Sequence, residues 1–296
     1  MAAADRRPVT ATAAAGLTAA ASTSAAVEAA STGLRPLSAR SVLVSTLLGT
    51  DPPALPVARL VRVGALFEFS EGSVRTALSR LATAGDVERD ERGWYRLSAP
   101  LRERQARQSL GRSGRSDTWS GRWRQAVVRP GARTAGERAE LRAAMQVLRF
   151  GELRDGVWLR PDNLPSDRAP AAMAVVADRC HWSSVAPDRD DGLADALWDL
   201  SAWATRADQL RRAAGAVVAD LEAGDERALR PGFELSAAVL RHFVADPLLP
   251  RELLPRRWPG DGLRATYDRF DAAYRRLLGE WLRASSARTD GSTVTA

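Results

Sequence analysis

Between Ser70 and Gly85 the chain reads SEGSVRTALSRLATAG, and the residues in it that can do chemistry are hydrogen-bond donors at helical spacing. At about 100° per residue, Gly72, Arg75, Thr76, Ser79 and Thr83 fall on one side, with Arg80 at its flank and Ser70 and Ser73 at its start. Guanidinium and hydroxyl groups donate to phosphates and base edges, and a side-chain-free Gly72 lets backbone approach a phosphate. Beyond the first turn this face carries no carboxylate. The chemistry offered is recognition of a polyanion. An ordinary solvated surface helix fits the same residues, and the helix alone does not choose between the two.

Other chemistry-bearing groups are sparse. Cys180 is the single cysteine, and His181 and His242 are the two histidines. Four zinc ligands of the usual kinds are therefore lacking, and adjacent residues on a strand, as at Cys180-His181, point to opposite faces. Asp188-Arg189-Asp190-Asp191-Gly192 departs from a calcium loop at the third ligand and has no Glu six places after its glycine. Phosphate-loop, dinucleotide and nucleophile-elbow motifs do not occur. No catalytic residue, metal ligand or cofactor is assigned.

The element that positions the donors is marked at both ends. Ser70 stands where an N-cap belongs, Glu71 puts a carboxylate in the first turn, and Gly85 supplies a left-handed stop. Val74, Ala77, Leu78 and Leu81 make the inner, apolar stripe. Upstream, Ser38 caps a helix with Val42, Leu43, Thr46 and Leu47 inside, ended by Gly49 and Asp51-Pro52-Pro53. A second helix follows Pro56, using Val57, Leu60 and Val61. Downstream, Asp86 to Arg89 and Trp94 to Leu97 flank Asp90-Glu91-Arg92-Gly93 as a hairpin. Three helices and a hairpin are the parts of a winged helix-turn-helix, with Arg89 and Arg92 as phosphate contacts on the wing.

Charge supports this placement. The net charge is +7, and residues 34–128 hold sixteen Arg against nine Asp and Glu, so the whole excess lies in the segment around the Ser70 helix. Lysine is absent, a usage that GC-rich codons also produce. One cysteine, with no apolar run of membrane-spanning length, leads to a cytoplasmic expectation. An Ala-rich stretch after Arg6 and Arg7 lacks the apolar centre of a secretory signal.

Boundaries follow from composition. Residues 1–33 read as a disordered Ala/Ser/Thr arm, 34–99 as the winged helix-turn-helix and 100–118 as a basic connector. Residues 119–186 read as a small ferredoxin-like α+β domain, with strands at 123–128, around the Asp155-Gly156 turn and at Ala172 to Val176, and a helix from Glu137 to Leu148. Residues 187–284 read as a helical domain: Leu193 to Ala207, a helix to about Leu221, Phe233 to Val244, and Tyr267 to Trp281. Residues 285–296 read as a disordered tail. The fold class is α+β, multidomain.

Five separated stretches together resemble the PaaX family, repressors of phenylacetate-degradation operons: LSARSVLVSTLLG at 37–49, SEGSVRTALSRLATAG at 70–85, GRWRQAVV at 121–128, FGELRDGVWLRPDNL at 150–164 and DPLLPRELLPRRWPG at 246–260. The resemblance implies an N-terminal winged helix-turn-helix, a central domain similar to a CRISPR-associated nuclease, and a helical C-terminal domain. It also implies a homodimeric repressor on double-stranded operator DNA, released by an acyl-CoA effector such as phenylacetyl-CoA. Carried over by position, the DNA readers are Ser70, Gly72, Ser73, Arg75, Thr76, Ser79 and Arg80, with Arg89 and Arg92 on the wing. Arg154, Trp158 and Arg160, which bracket or lie within DGVWL, are the candidates for effector binding. The rival function is a nucleic-acid-targeted, metal-dependent nuclease or a CoA-dependent enzyme in the central domain. It meets one departure: the related nuclease uses an Asp near the end of the first central strand, and here that place reads Val128-Arg129-Pro130-Gly131.

Overall fold

Why the first helix starts where it does is visible at its cap. In the computed structural model, which describes residues 37–131, 133–165, 167–187 and 192–290, Ser38 and Ser41 satisfy one another in a capping box ahead of α1 (Ala39–Leu48). The arm over 1–33 and the acidic stretch 188–191 lie outside the described residues. The chain forms two compact units, one from residues 37–98, 208–239 and 265–290, the other from the described residues of 99–207 and 240–264.

The first unit contains the winged helix. After α1 come β1 (Ala54–Pro56), α2 (Val57–Ala65), α3 (Glu71–Thr83), β2 (Val87–Arg89) and β3 (Trp94–Leu97). The strands form an antiparallel sheet in the order β1-β3-β2, with Leu55 opposite Tyr95 and Glu88 opposite Arg96. Strand β1 is not legible in the sequence, because three residues, the last of them a proline, are too few to show alternation. Val42, Leu43, Leu47, Leu60, Val74, Leu78, Leu81 and Leu97 close the core beneath these elements. The same unit takes in residues 208–239 and 265–290, whose Leu221, Leu229, Phe233, Tyr267, Phe270 and Leu277 are buried.

The second unit begins with α4 (Ala99–Ser113) and holds the ferredoxin-like domain. Its order is β4 (Trp123–Val128), α5 (Ala135–Val147), β5 (Gly151–Arg154), β6 (Val157–Pro161), α6 (Pro170–Val176) and β7 (Cys180–Val185). The antiparallel sheet has the order β5-β6-β4-β7, so each helical crossover leads from an inner strand to an outer one, α5 from β4 to β5 and α6 from β6 to β7. Ala172 to Val176, expected as a strand, is helical. Pro170 at the first helical position sets φ for a helix, and PAAMAVV lacks the alternation of a half-buried strand. The fourth strand is Cys180–Val185, which pairs with β4 from Trp123–Val185 to Val128–Cys180.

Helices α7 (Leu193–Leu197), α8 (Leu200–Glu222), α9 (Leu229–Val244) and α10 (Gly260–Asp290) complete the chain. The sequence suggested a break near Ala207; the break falls earlier, where the Asp199 carboxylate accepts from the Ala202 N–H at 2.8 Å and caps a single long α8. Helix α10 starts seven residues before the expected Tyr267 and runs on to Asp290, into the stretch read as a tail. Trp203 stacks between His242 and Trp258, at 4.2 and 4.4 Å between ring centroids.

Candidate nucleic-acid interface

Helix α3 is held by a close crossing with α2. A Cβ on Gly64 would lie 2.4 Å from Cγ2 of Val74, so the glycine lets the two backbones approach. Between them Glu68 takes a left-handed conformation at φ 61°, and Ser70 then caps α3, its hydroxyl accepting from the Ser73 N–H at 3.2 Å. At the far end Gly85, at φ 73°, ends the helix as the sequence indicated.

With Val74, Leu78 and Leu81 fully buried, the opposite face is fixed outward. Gly72, Ser73, Arg75, Thr76, Ser79 and Arg80 are all exposed. Thirteen residues of helix are about 20 Å long and fit a major groove about 12 Å wide. Two details were hidden from sequence reasoning. The Ser70 and Ser73 hydroxyls are hydrogen-bonded to each other at 2.9 Å. The Arg75 guanidinium is paired with Glu71 at 2.7 Å, both side chains being more than half exposed. An exposed pair of this kind is worth about 0.3–0.5 kcal/mol, whereas a bidentate contact to a base edge is worth about 1–3 kcal/mol. The pair therefore orients Arg75 without locking it.

The wing is stapled by one carboxylate. Asp90 accepts from the N–H groups of Arg92 at 3.0 Å and Trp94 at 2.9 Å, and from the Arg96 guanidinium at 3.1 Å. The bond from Trp94, aided by those from Arg92 and Arg96, holds its carboxyl below the usual range. Arg89 and Arg92 stay exposed around this turn. Trp94, 39% exposed, stands beside them at the β3 position opposite Pro56. In the sequence its one signal is an aromatic next to the turn glycine Gly93.

The effector candidates are not brought together. Arg154 is exposed at the end of β5. Arg160 is buried, its guanidinium donating to the carbonyls of Pro161 at 3.2 Å and Leu164 at 3.0 Å and lying over the Phe150 ring. Burial, opposed by Asp162, pulls its pKa down to about 10. Trp158 is buried in the sheet, with the Arg142 guanidinium 5.6 Å over its ring. Cys180 is buried and His181 exposed, on opposite faces of β7. Among the described residues no group of three or more His, Cys, Asp or Glu is placed to hold a metal ion, and no helix is long and apolar enough to cross a membrane. The expected Arg129 does stand at the end of β4, exposed.

Comparison with known proteins follows this layout. Three family models match in order: PaaX-like protein over residues 38–101, PaaX protein central Cas2-like domain over 116–179, and PaaX-like protein C-terminal domain over 198–284. A solved structure, the uncharacterized protein Rv0674 from Mycobacterium tuberculosis, is 38% identical, covers 83% of this chain and 99% of its own, and superposes with a TM-score of 0.59. The search of the curated proteins found no match.

Proposed function

Because the chain belongs to the PaaX-like family of transcriptional regulators, we propose that it is a dimeric repressor whose α3 helices enter successive major grooves of an inverted-repeat operator. One observation carries this reading: every donor on the outer face of α3, from Gly72 to Arg80, is exposed, within the segment that holds the whole arginine excess. Arg75, Thr76 and Ser79 read base edges, while Ser70, Ser73, Arg80, Arg89 and Arg92 hold phosphates. An acyl-CoA effector, phenylacetyl-CoA by family likeness, favours a dimer geometry whose helix spacing no longer matches the operator, and the operon is released. The chemistry at the end of β4 favours this over a metal-dependent nuclease, since a guanidinium at Arg129 repels a divalent cation where a carboxylate would bind it.

The test is fluorescence anisotropy on duplexes from the promoter upstream of the protein's own operon, over a salt series, with and without phenylacetyl-CoA. The logarithm of affinity should fall linearly with the logarithm of salt, at about 0.9 per phosphate contacted. Phenylacetyl-CoA should release the duplex at fixed salt. Affinity that ignores salt would remove DNA as the partner.

A further inference from the structure

Past the end of β4 the chain turns through Arg129, Pro130 and Gly131 into α5, and this turn, the first half of α5 and the β5–β6 hairpin surround a solvent-open cavity of about 340 Å³. Its charged lining is Arg129, Arg133, Arg138 and Arg142, against Glu152 and Asp155. Leu141 and Trp158 supply an apolar floor. All of these residues belong to the second unit.

The four guanidiniums are not equivalent. Arg142 is neutralised by Glu152 and lies over Trp158. Arg133 spends one donor on the Arg129 carbonyl and Arg138 one on the Arg133 carbonyl, each at 2.6 Å. A guanidinium has five donors, so both keep most of theirs. Among the described residues Arg129, Arg133 and Arg138 form no ion pair with a carboxylate. Their field reaches Cys180, where Arg133 and Arg129 oppose the burial that pushes the thiol up. Outside the lining, Glu137 is held below the usual carboxylate range by its bonds from Thr134 and then by the nearby Arg179 and Arg133. The cavity lining thus sets four guanidiniums against two carboxylates, and the exposed or half-exposed Arg129, Arg133 and Arg138 leave a local surplus of positive charge at one concavity.

We propose that this cavity binds the phosphate groups of a small phosphorylated ligand of the nucleotide or diphosphate-ester class. Arginine forks match phosphate oxygens bidentately. The volume lies at the small end of ligand pockets and admits one nucleotide-sized group. A concave site of this size suits a small molecule better than a nucleic-acid backbone, which tracks along an extended groove. Asp155 faces the anion unfavourably and tunes the affinity down. Coenzyme A esters belong to the ligand class, and to that extent the site gives the proposed effector a phosphate anchor. The site itself does not depend on the chain reading DNA.

Isothermal titration of the full chain with inorganic pyrophosphate and with adenosine 3′,5′-bisphosphate, at fixed ionic strength, tests this. Both probes should bind, and Arg129→Ser and Arg133→Ser should each weaken binding at least tenfold with an unchanged Tm. Asp155→Asn keeps a good turn residue before Gly156 and should tighten binding about threefold. Failure of both probes to bind at millimolar concentration would overturn the proposal, as would wild-type affinity in both arginine variants. So would variants that weaken binding of a DNA duplex while the probes bind as before. Operator binding by the wild type, measured without any probe, is a separate readout: its failure removes the regulator reading and leaves the phosphate site standing.

Discussion

Arg75 and Glu71 show how a single pair can serve two states. Along one helix face a glutamate four residues ahead of an arginine adds a few tenths of a kcal/mol and keeps the guanidinium on the exposed side. A guanine or phosphate offers more, so the pair yields to DNA. Arg75→Ala should cost about 1–3 kcal/mol of operator affinity and relax specificity at one base step. Circular dichroism and Tm should stay as in the wild type, and an anisotropy titration at moderate salt decides the matter. Unchanged affinity would mean that α3 does not present this residue to the groove. His242 carries a prediction of another kind. Its pKa is lowered from 6.5 to about 4 by burial, then by the nearby Arg206, and its ring stacks on Trp203. Because the folded value lies below the unfolded one, the unfolded chain takes up the proton first as pH falls. The contribution of His242 to stability, about 3 kcal/mol, should therefore be complete above pH 6.5 and be lost between there and about 4. Urea midpoints across that range should show the slope, and His242→Gln should flatten it. Neither residue's state was legible in the sequence, where Arg75 is one donor among several and His242 an unremarkable helical histidine.

At the scale of elements, the α2–α3 crossing decides how the reading helix is held. Gly64→Ala places a methyl within 2.4 Å of Val74 and should destabilise the winged helix by about 1–3 kcal/mol. Val74→Ala alone opens a cavity and also destabilises. The double variant should cost less than the sum of the two, because the added methyl occupies the space the valine leaves. Chemical denaturation of the four proteins measures this, and strict additivity would deny the contact. Much at this scale was readable beforehand. Ser38, Ser70 and Gly85 marked helix ends because caps act locally, and the Val74, Leu78 and Leu81 stripe gave the buried face because it rests on periodicity. The errors fell where tertiary context outweighs local pattern. The Ala172 to Val176 segment is short and apolar enough to suit either state, and three-residue β1 exists through pairing with β3 rather than through its own residues.

On the scale of the whole molecule, family likeness supplied the order of the domains, while the grouping of distant segments had to come from the structure. The unit that carries α3 also draws on residues 208–239 and 265–290. Phe233 meets Phe67 edge-on at 5.0 Å, and Arg230 lies over the same ring and pairs with Glu68 at 3.1 Å. These contacts brace the corner that leads into α3, and they join residues more than 160 positions apart, beyond any local sequence signal. Phe233→Ala should cost about 3–5 kcal/mol. Hydrogen exchange should quicken at the Glu68 and Phe69 amides, which donate to Ala65 and Gly64, while the amides of β4 keep their protection. Uniform loss across both would show that the brace is not local. The brace also has a consequence for synthesis. A nascent chain emerging from the ribosome presents α3 long before translation reaches codon 233, so Phe67 stays uncovered through most of elongation. A product ended early by a nonsense codon would have the reading helix without its buttress, and would compete poorly with finished copies for the promoter.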